Sequence, residues 1–386
     1  MAYTEKRTIS YGSRVKSSFG GIGTGFILLI AATVLLWWNE GRAVKTAKML
    51  NEAEGVAVHM PDVNVYDAEF EGKLIHANGT VITLDSLIDT DFKVGVTGMF
   101  MSRDVEYYQW VESESSKTED KLGGSQEITT TYTYSKQWTS KPVNSSEFKD
   151  PEYKNANNAG VRIQVEDKQY VAQNATIGAY KLPEQMITGF PRSSARPLIL
   201  TLQSDSLRQV SNNVIYYGKN PSAPEVGDVR VEYRYVPAKN VVSLIAKVQG
   251  DTFTRYTAKN GKSFSSIVAG EKTMEEMFES EKAGNTMLTW VLRILGFILI
   301  SAGLKMVFDI LSTLLKVVPF LSSIMSWGVG LICNIIAFAW TLIVVAVAWL
   351  FYRPILSVCL LAVVGAVVYY FVTKGEKKKQ ANADVQ

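Results

Sequence analysis

Few residues in this chain belong to the types that carry catalysis. Its 386 residues include only two histidines, His59 and His76, and only two cysteines, Cys333 and Cys359, which both lie in one apolar stretch. No HExxH or GxSxG motif occurs, so zinc hydrolysis and Ser-His catalysis lack their required groups. We therefore predict that the protein is not an enzyme and has no catalytic, cofactor-binding or metal site.

One segment is similar to part of a phosphate-binding loop. Gly261-Lys262-Ser263 has the closing residues of GxxxxGK[ST], but Tyr256 occupies the position of the first glycine. Asn260-Gly261 is also a strong signal for a hairpin turn. The segment therefore predicts a turn and not a nucleotide site.

Two carboxylates could act as an acid pair. Glu225 and Asp228 lie in the sequence PEVGD, three residues apart. Pro224 and Gly227 in the same stretch favour a turn, in which the acids are solvated or cap the next strand. We favour the turn.

Three neighbouring aromatic residues, Tyr107, Tyr108 and Trp110, could form a binding patch. Aromatic side chains are also the ordinary content of a β-strand. Core packing is therefore the favoured interpretation.

The elements that position these residues include four apolar stretches, each long enough to cross a bilayer at about 20 residues per span. They are residues 19–38, 287–308, 328–351 and 355–372. Pro354 interrupts helical geometry, so the last two predict a helical hairpin with Trp349, Tyr352 and Arg353 at one interface. A cleaved signal peptide is the alternative for the first stretch, but its apolar run is too long and no small-x-small cleavage site follows it.

Flanking charges predict the direction of the spans. Residues 1–18 and 373–386 are basic tails, and Lys/Arg in short flanking segments stay on the cytoplasmic side. Residues 39–286 then form one large domain on the other side. Residues 309–327 predict an interfacial segment, broken at Pro319.

Polar residues within the spans allow two interpretations. Lys305 and Asp309, four residues apart, fit snorkelling to an interface or a buried ion pair in a conduction path. Asn334 and Thr341 share one helix face, as in a pore lining or in polar contacts between helices. Gly21 and Gly25 form a GxxxG motif that could seat a neighbouring helix closely.

The large domain is predicted to be β-rich. Asp228–Tyr235 alternates polar and apolar residues without a fault, which predicts a strand with Val229, Val231, Tyr233 and Tyr235 buried on one face. Further strands are predicted at Val105–Glu112 and Thr129–Trp138, joined by a long loop at Lys117–Gln126. The two halves of the domain are weakly similar in sequence, which is compatible with two similar β units.

Helices are predicted at both ends of this domain. An amphipathic helix continues from the first span and ends near Gly55. Thr273 and Glu276 fit a capping box at the start of a helix that leads to the second span. The fold class is thus a multi-pass α-helical membrane protein with four transmembrane helices and a large β-rich, mixed α+β domain inserted between helices 1 and 2.

Four unusual strings carry a family resemblance, and they are NEGRAVKTA from Asn39, EYYQWVE from Glu106, NPSAPEVGDVRV from Asn220 and WLFYRP from Trp349. With these strings the chain resembles the LUMA (transmembrane protein 43) family. The resemblance implies four spans, one large extracytoplasmic or luminal domain and a membrane-organising role with self-association. It also implies residence in the endoplasmic reticulum and inner nuclear membrane if the source is eukaryotic. A bacterial member would lie in the cytoplasmic membrane.

Two functions follow as alternatives. The first is a non-enzymatic scaffold that self-associates and presents the β-rich domain to other membrane or envelope proteins. The second is an oligomeric pore or membrane-perturbing effector controlled by that domain. The predicted partners are the lipid bilayer and a second copy of the chain, with no nucleic acid, because the formal charge of +3 comes largely from the two tails.

The flanking charges give a direct test of topology. Cysteines introduced at Ser10 and Ser265 should react with a membrane-impermeant maleimide from opposite faces, because the basic tail stays cytoplasmic and the domain does not. Labelling of both positions from one face would contradict the four-span topology.

Overall fold

The computed structural model describes residues 2–158, 160–205, 208–314 and 319–354. Its contacts divide the chain into two compact units. The β-rich unit comprises Met1–Arg7, Met49–Glu119 and Glu127–Ser280. The helical unit comprises Thr8–Lys48, Asp120–Gln126 and the described residues from Glu281 onward.

The described residues form four α-helices and eighteen strands. The helices are α1 (Tyr11–Val56), α2 (Glu184–Thr188), α3 (Met274–Leu314) and α4 (Pro319–Tyr352). The strands are β1 (Ala2–Ile9), β2 (Val58–His59), β3 (Leu74–Ile82), β4 (Ser86–Asp89), β5 (Val94–Asp120), β6 (Gln126–Thr139), β7 (Lys168–Val171), β8 (Thr176–Ile177), β9 (Tyr180–Lys181), β10 (Arg196–Pro197), β11 (Arg208–Ser211), β12 (Val214–Tyr217), β13 (Val229–Pro237), β14 (Lys239–Gln249), β15 (Thr252–Thr254), β16 (Tyr256–Thr257), β17 (Ser263–Phe264) and β18 (Ser266–Ala269).

Two sheets dominate the β-rich unit. The larger has nine strands in the order β1-β6-β5-β13-β12-β11, with β10 beside β13 and with β4 and β7 beside β5. In the smaller, β14, β15, β9, β8 and β3 pair into a closed ring, and β18 and β2 add to its edges. Each sheet has its own buried apolar cluster.

Strand β13 confirms the prediction from alternation. Val229, Val231 and Tyr233 are fully buried in the core of the larger sheet. Tyr235 is only partly buried, so the buried face ends earlier than predicted. The pairing of β13 with β5 is antiparallel and places Val231 opposite Val105.

The β5–β6 hairpin corrects the predicted loop. Both predicted strands exist, but β5 continues to Asp120 and β6 begins at Gln126. The hairpin loop is therefore present but shorter than the predicted Lys117–Gln126, because charged residues are compatible with an exposed two-stranded ribbon. Gly123 and Gly124 have φ of 86° and 82°, a left-handed conformation that makes the short turn feasible.

The N-terminal tail contains a strand that the sequence did not predict. Strand β1 lies beside β6 at the edge of the larger sheet, and Lys6 is 3.6 Å from Glu127. Two paired strands lie on the same side of a membrane, so this pairing and the predicted placement of the tail and the domain on opposite sides exclude each other. Labelling of Ser10 and Ser265 from one face would agree with the β1–β6 pairing, and labelling from opposite faces would agree with the predicted topology.

Among the described residues, three helices are long and apolar enough to cross a membrane. They are Tyr11–Val56, Met274–Ile310 and Gly328–Tyr352, and they contain the predicted spans 19–38, 287–308 and 328–351. In sequence, the β-rich region lies between the first helix and the other two. The predicted fourth span, 355–372, and the tail 373–386 fall outside the described residues.

The helix boundaries modify two predictions. Helix α1 ends at Val56, one residue beyond the predicted end at Gly55. The separate interfacial segment 309–327 is not observed as such, because α3 continues to Leu314 and α4 already begins at Pro319. Proline fits the first turn of a helix, where its missing N–H is not needed.

The capping box at the start of α3 is confirmed. The Thr273 amide donates to Glu276 Oε2 at 2.9 Å, and the Glu276 amide donates to Thr273 Oγ1 at 3.1 Å. Met277 and Phe278 follow in the next turn and are buried against Leu50 of α1, within the β-rich unit. The cap thus fixes where the apolar face of α3 meets the domain.

A buried ion pair lies in the core of the larger sheet. Arg103 contacts Asp89 with an N–O distance of 2.8 Å, and Tyr233 donates to Asp89 at 2.7 Å. Asp89 is fully buried. Burial alone would raise the pKa of Asp89, but the hydrogen bonds from Tyr233 and Arg103 outweigh it and lower that pKa.

The buried face of β13 should tolerate no charge. Val231→Asp is expected to lower the free energy of unfolding by roughly 2–5 kcal/mol or more, because it removes core contacts and buries an unpaired carboxylate. Arg234→Ala is the matched control, since Arg234 is exposed on the opposite face. Chemical denaturation followed by circular dichroism measures both, and equal stabilities would contradict the assigned face. Arg230 is a poorer control, because it pairs with Glu106 and stacks on Trp138.

The lowered pKa of Asp89 predicts a dependence on pH. A carboxyl group whose pKa falls on folding stabilises the fold above its unfolded pKa of about 3.9, and that contribution is lost as pH falls through the folded pKa. We expect the unfolding free energy of the wild type to decline below about pH 4 more steeply than that of Asp89→Asn. Denaturant titrations from acidic to neutral pH measure this difference. Parallel pH profiles would show that Asp89 is not held ionised by Arg103.

Candidate functional site

A polar cluster follows the apolar run of α1, where this helix contacts α3 and α4 within the helical unit. We call it the Glu40 junction. It consists of Asn39, Glu40, Gly41 and Arg42 from α1, Asn285, Thr289 and Arg293 from α3, and Trp349 and Tyr352 from α4.

Glu40 is the centre of this junction. Its side chain is fully buried, and Arg293 donates to both carboxylate oxygens, with Nε at 2.7 Å and a terminal nitrogen at 2.9 Å. The Trp349 indole N–H adds a third hydrogen bond at 2.8 Å. The carboxylate therefore has a bidentate cation and an extra donor, the arrangement that a buried charge requires.

The guanidinium of Arg293 is held by aromatic rings as well. It lies 4.9 Å from the ring centroid of Trp290 and 5.9 Å from that of Trp349. Cation–π attraction between the guanidinium and these rings adds to the ion pair. One tryptophan, Trp349, thus contacts both members of the ion pair.

Asn39 and Arg42 join α1 to α3 beside this pair. The Asn39 amide donates to the carbonyl of Thr289 at 3.0 Å. Arg42 donates to Asn285 Oδ1 at 3.0 Å and to Thr289 Oγ1 at 3.0 Å. Arg42 also donates to Asn39 Oδ1 at 3.1 Å, so the two residues form one network.

Gly41 allows the end of α4 to approach α1. A Cβ atom at Gly41 would lie 2.7 Å from the ring of Tyr352. Tyr352 also packs beside Trp37, with ring centroids 5.9 Å apart. Arg353 lies over the Trp349 ring at 5.7 Å. The residues predicted to share one interface, Trp349, Tyr352 and Arg353, therefore gather at this junction.

The junction links three helices. The three hydrogen bonds described for Glu40 all come from donors on other helices. In a low-dielectric surrounding, separating the two charges would cost much more than in water. The cluster therefore holds α1, α3 and α4 in one arrangement.

Nearer to the start of α1, two glycines allow α1 and α3 to approach each other closely. A Cβ at Gly25 would lie 2.7 Å from the carbonyl oxygen of Gly303, and one at Gly303 would lie 2.8 Å from that of Gly25. The predicted close seat at Gly25 is confirmed. Gly21 is looser, since its Cβ would be 3.8 Å from the nearest atom, the carbonyl oxygen of Met306.

The acid pair of PEVGD takes part in a turn. Asp228 is fully buried and accepts hydrogen bonds from Tyr216, Arg162 and the Glu225 amide. Burial alone would raise the pKa of Asp228, but these bonds, led by that from Tyr216, lower it. Glu225 lies more exposed, 3.3 Å from Arg162. The structure thus favours the turn over an acid pair with a free proton acceptor.

The aromatic trio separates onto two faces of β5. Tyr107 is buried in the core of the larger sheet and donates to the Val165 carbonyl. Tyr108 and Trp110 are partly exposed on the other face, where they pack beside Trp138 at 5.2 Å and Tyr153 at 4.8 Å. Core packing is confirmed for Tyr107, whereas the other two line a half-buried surface.

Polar residues of the spans mostly contact neighbouring helices. Asp309 accepts a hydrogen bond from Ser18 at 2.9 Å, and Asn334 accepts one from Ser301. Thr341 is buried and donates to the Ala337 carbonyl at 2.8 Å within its own helix. Asn334 is exposed, whereas Thr341 is buried.

The remaining candidates are placed as follows. Gly261 has φ of 79° in the turn between β16 and β17, which confirms the predicted hairpin turn. His59 and His76, 17 residues apart in sequence, are brought together, with their Nδ1 atoms 3.0 Å apart. Sequence analysis gave these histidines no role.

Sequence analysis also missed the main features of the Glu40 junction. Arg293 lies within the predicted second span, and the structure pairs it with Glu40. The sequence offers one signal, which is that Glu40 and Arg293 carry opposite charges. Each lies near the end of its predicted span that faces the same side of the membrane. A single sequence does not show that these two helix ends meet.

The Glu40–Arg293 pair should be strongly coupled. Glu40→Ala and Arg293→Ala should each destabilise the folded protein by about 3–5 kcal/mol, because each leaves one buried charge without its partner. The double variant should lose less than the sum of the two. Thermal unfolding in detergent micelles, with Glu279→Ala as an exposed control on α3, measures the cycle. Additive losses would show that the two side chains do not interact.

The glycine contact gives a second test. Gly25→Ala should destabilise the helical unit, because its Cβ would meet the backbone oxygen of Gly303. Gly23→Ala is the matched control, since no atom lies within 4 Å of a Cβ at that position. Alanine has a higher helix propensity than glycine, so Gly23→Ala should leave the stability unchanged or raise it. Equal effects of the two variants in thermal unfolding would rule out close packing at Gly25.

Comparison with known proteins agrees with this architecture. The family model described as Transmembrane protein 43 matches residues 107–354. Transmembrane protein 43 from Rattus norvegicus and from Homo sapiens are each 32% identical to the chain, over 89% of this chain and 87% of theirs. The Transmembrane protein 43 homolog of Drosophila melanogaster is 27% identical, over 91% of this chain and 93% of its own. No solved structure matches the chain. With its apolar helices and large β-rich region, the chain belongs to the transmembrane protein 43 family.

Proposed function

We propose that the protein is a non-enzymatic membrane scaffold that self-associates and presents its β-rich domain on the non-cytoplasmic side for protein interaction. Four spans would anchor it, with the domain inserted between the first and second. In a eukaryote we propose the endoplasmic reticulum and inner nuclear membrane as its location, as the family resemblance implies.

The observation that carries this proposal is the Glu40 junction. Glu40 and Arg293 pair with each other across α1 and α3, and Trp349 of α4 donates to the same carboxylate, as expected of a bundle with one fixed arrangement. The contacts Ser301–Asn334, Thr33–Trp340 and Ser18–Asp309 extend the same pattern along the bundle. Polar groups that bind neighbouring helices support an anchoring role more than a conduction path.

The pore remains the competing function, and two measurements on the full-length protein separate it from the scaffold. Native mass spectrometry in detergent gives the oligomeric state, and ion flux from proteoliposomes gives conduction. We expect an oligomer with no flux above that of protein-free liposomes. A monomer would contradict self-association.

Flux would favour the pore, and a variant pair then tests the described helices. Asn334→Leu removes an exposed polar group from α4, whereas Ile335→Leu at the neighbouring position changes shape without changing polarity. Flux that is lowered by Asn334→Leu and unchanged by Ile335→Leu would assign conduction to this face and overturn the scaffold proposal.

A further inference from the structure

The two histidines of the chain form a hydrogen-bonded pair at the edge of the smaller sheet. Strand β2 runs parallel to β3, and His59 is the direct cross-strand partner of His76. Their Nδ1 atoms are 3.0 Å apart, and their ring centroids are 5.3 Å apart. These two separations place both rings and both nitrogens on one line, so a single hydrogen between the nitrogens makes a straight N–H···N bond. His76 is buried, whereas His59 is exposed.

A backbone carbonyl fixes the direction of this hydrogen bond. His76 Nε2 lies 2.9 Å from the carbonyl oxygen of Lys272, and a carbonyl only accepts hydrogen bonds. Nε2 therefore carries a hydrogen, and in neutral His76 the Nδ1 atom is an acceptor. His59 must then donate from its own Nδ1 atom, which leaves its Nε2 atom bare while the ring is neutral.

One added proton fits this arrangement. It binds to Nε2 of the exposed His59, and the Nδ1–H group of the resulting imidazolium still donates to His76. A hydrogen bond from a charged donor is stronger than one between neutral groups. The singly protonated pair therefore stays closed.

A second added proton does not fit. It would have to bind to Nδ1 of His76, where it would meet the Nδ1–H group of His59 across the same 3.0 Å. Two donors and two positive charges would then face each other with no acceptor between them. The doubly protonated pair therefore forms only when the two rings separate.

The groups around His76 act in the same direction. Burial lowers the pKa of His76, and the nearby His59 adds to this effect. The Lys272 carbonyl and the carboxylate of Glu275, at the start of α3, oppose it without outweighing it. The neutral form of His76 is thus favoured while the pair is closed.

Helix α1 contributes a further carboxylate near this part of the sheet. Its last turns pack in the same apolar cluster as Leu74, which lies two residues before His76 on β3. Glu52 of α1 accepts hydrogen bonds from the Tyr256 hydroxyl at 2.8 Å and from the Lys259 amide at 3.1 Å. These partners hold Glu52, so Glu275 is the carboxylate that acts on His76.

We propose that His59 and His76 form a proton-operated latch, which holds β2 on β3 while the pair carries at most one added proton and releases β2 when both histidines are protonated. β2 has only two residues and follows the end of α1. Its release frees the segment that connects α1 to the smaller sheet. The latch would thus make this connection sensitive to acid.

The proton count gives the steepness of the response. The closed pair holds at most one added proton, whereas two separated histidines with an ordinary pKa of about 6.5 hold close to two at about pH 5. Opening therefore takes up about one proton or more. The closed form is favoured above about pH 6.5, and the ratio of open to closed protein should rise by about ten-fold or more between about pH 5.5 and 4.5.

Hydrogen exchange of the full-length protein in detergent micelles, followed by mass spectrometry, tests the latch. The reporter is the Met60 amide, which donates to the His76 carbonyl at 2.8 Å beside the pair. Its protection, taken relative to the intrinsic exchange rate at each pH, should fall by about ten-fold or more between about pH 5.5 and 4.5. The Leu182 amide, which donates to the Ala175 carbonyl at 2.8 Å beside β9 of the same sheet, should keep its protection.

His59→Gln is the variant that separates protonation from packing. A glutamine amide donates to neutral His76 through its nitrogen and accepts from protonated His76 through its oxygen. The variant should therefore stay closed, with little change in Met60 protection over the same pH range. Val58→Ala is the matched control, because Val58 is the exposed neighbour of His59 on the same strand, and it should respond to pH as the wild type does.

Three outcomes would overturn the proposal. The first is an equal response of the wild type and His59→Gln, and the second is a wild-type protection at Met60 that does not change with pH. The third is a parallel loss of protection at Leu182, which would assign the response to the whole sheet and not to the histidine pair.

Discussion

The ion pair between Glu40 and Arg293 is the constraint on which the helical unit depends. A carboxylate that is fully buried requires a cation in good geometry, and Arg293 provides one from another helix through two hydrogen bonds. Because Trp349 donates to the same carboxylate, α4 is tied to the position of the pair. The contact between Glu40 and Arg293 therefore sets how each helix is rotated about its own axis.

The surrounding contacts are of the kind that membrane helices use. Apolar side chains do not gain by leaving lipid for another apolar surface, so helix association relies on close packing and on hydrogen bonds. The Gly25–Gly303 approach supplies close packing, and Asn39 with Arg42 supplies hydrogen bonds. These weaker contacts keep the helices near enough for the ion pair to form.

The β-rich unit uses a similar device in a different core. Asp89 is buried beside Arg103 and receives a hydrogen bond from Tyr233, a member of the apolar cluster of the larger sheet. Such a pair is weak evidence for added stability, but it penalises any register that separates its members. A slip of β13 by one residue would move Tyr233 to the opposite face and leave Asp89 without that bond.

Local patterns predicted local structure well, because they act between residues close in sequence. The alternation at Val229–Tyr235, the capping box at Thr273 and the turn at Gly261 need only neighbouring residues, and all three are present. The hairpin loop is shorter than the predicted Lys117–Gln126, since charge alone does not prevent an exposed strand. Strand β1 depends on an edge provided by β6, which no local pattern encodes.

The sequence by itself determined that the chain has apolar helices flanking a β-rich region, because period and length are properties of short windows. It also supplied Glu40 and Arg293, 253 residues apart, without indicating that they meet. The pairing of His59 with His76 likewise follows from the register of β2 on β3. Only the tertiary structure decided these contacts, because the energy of a buried charge or a shared hydrogen depends on partners that folding brings together.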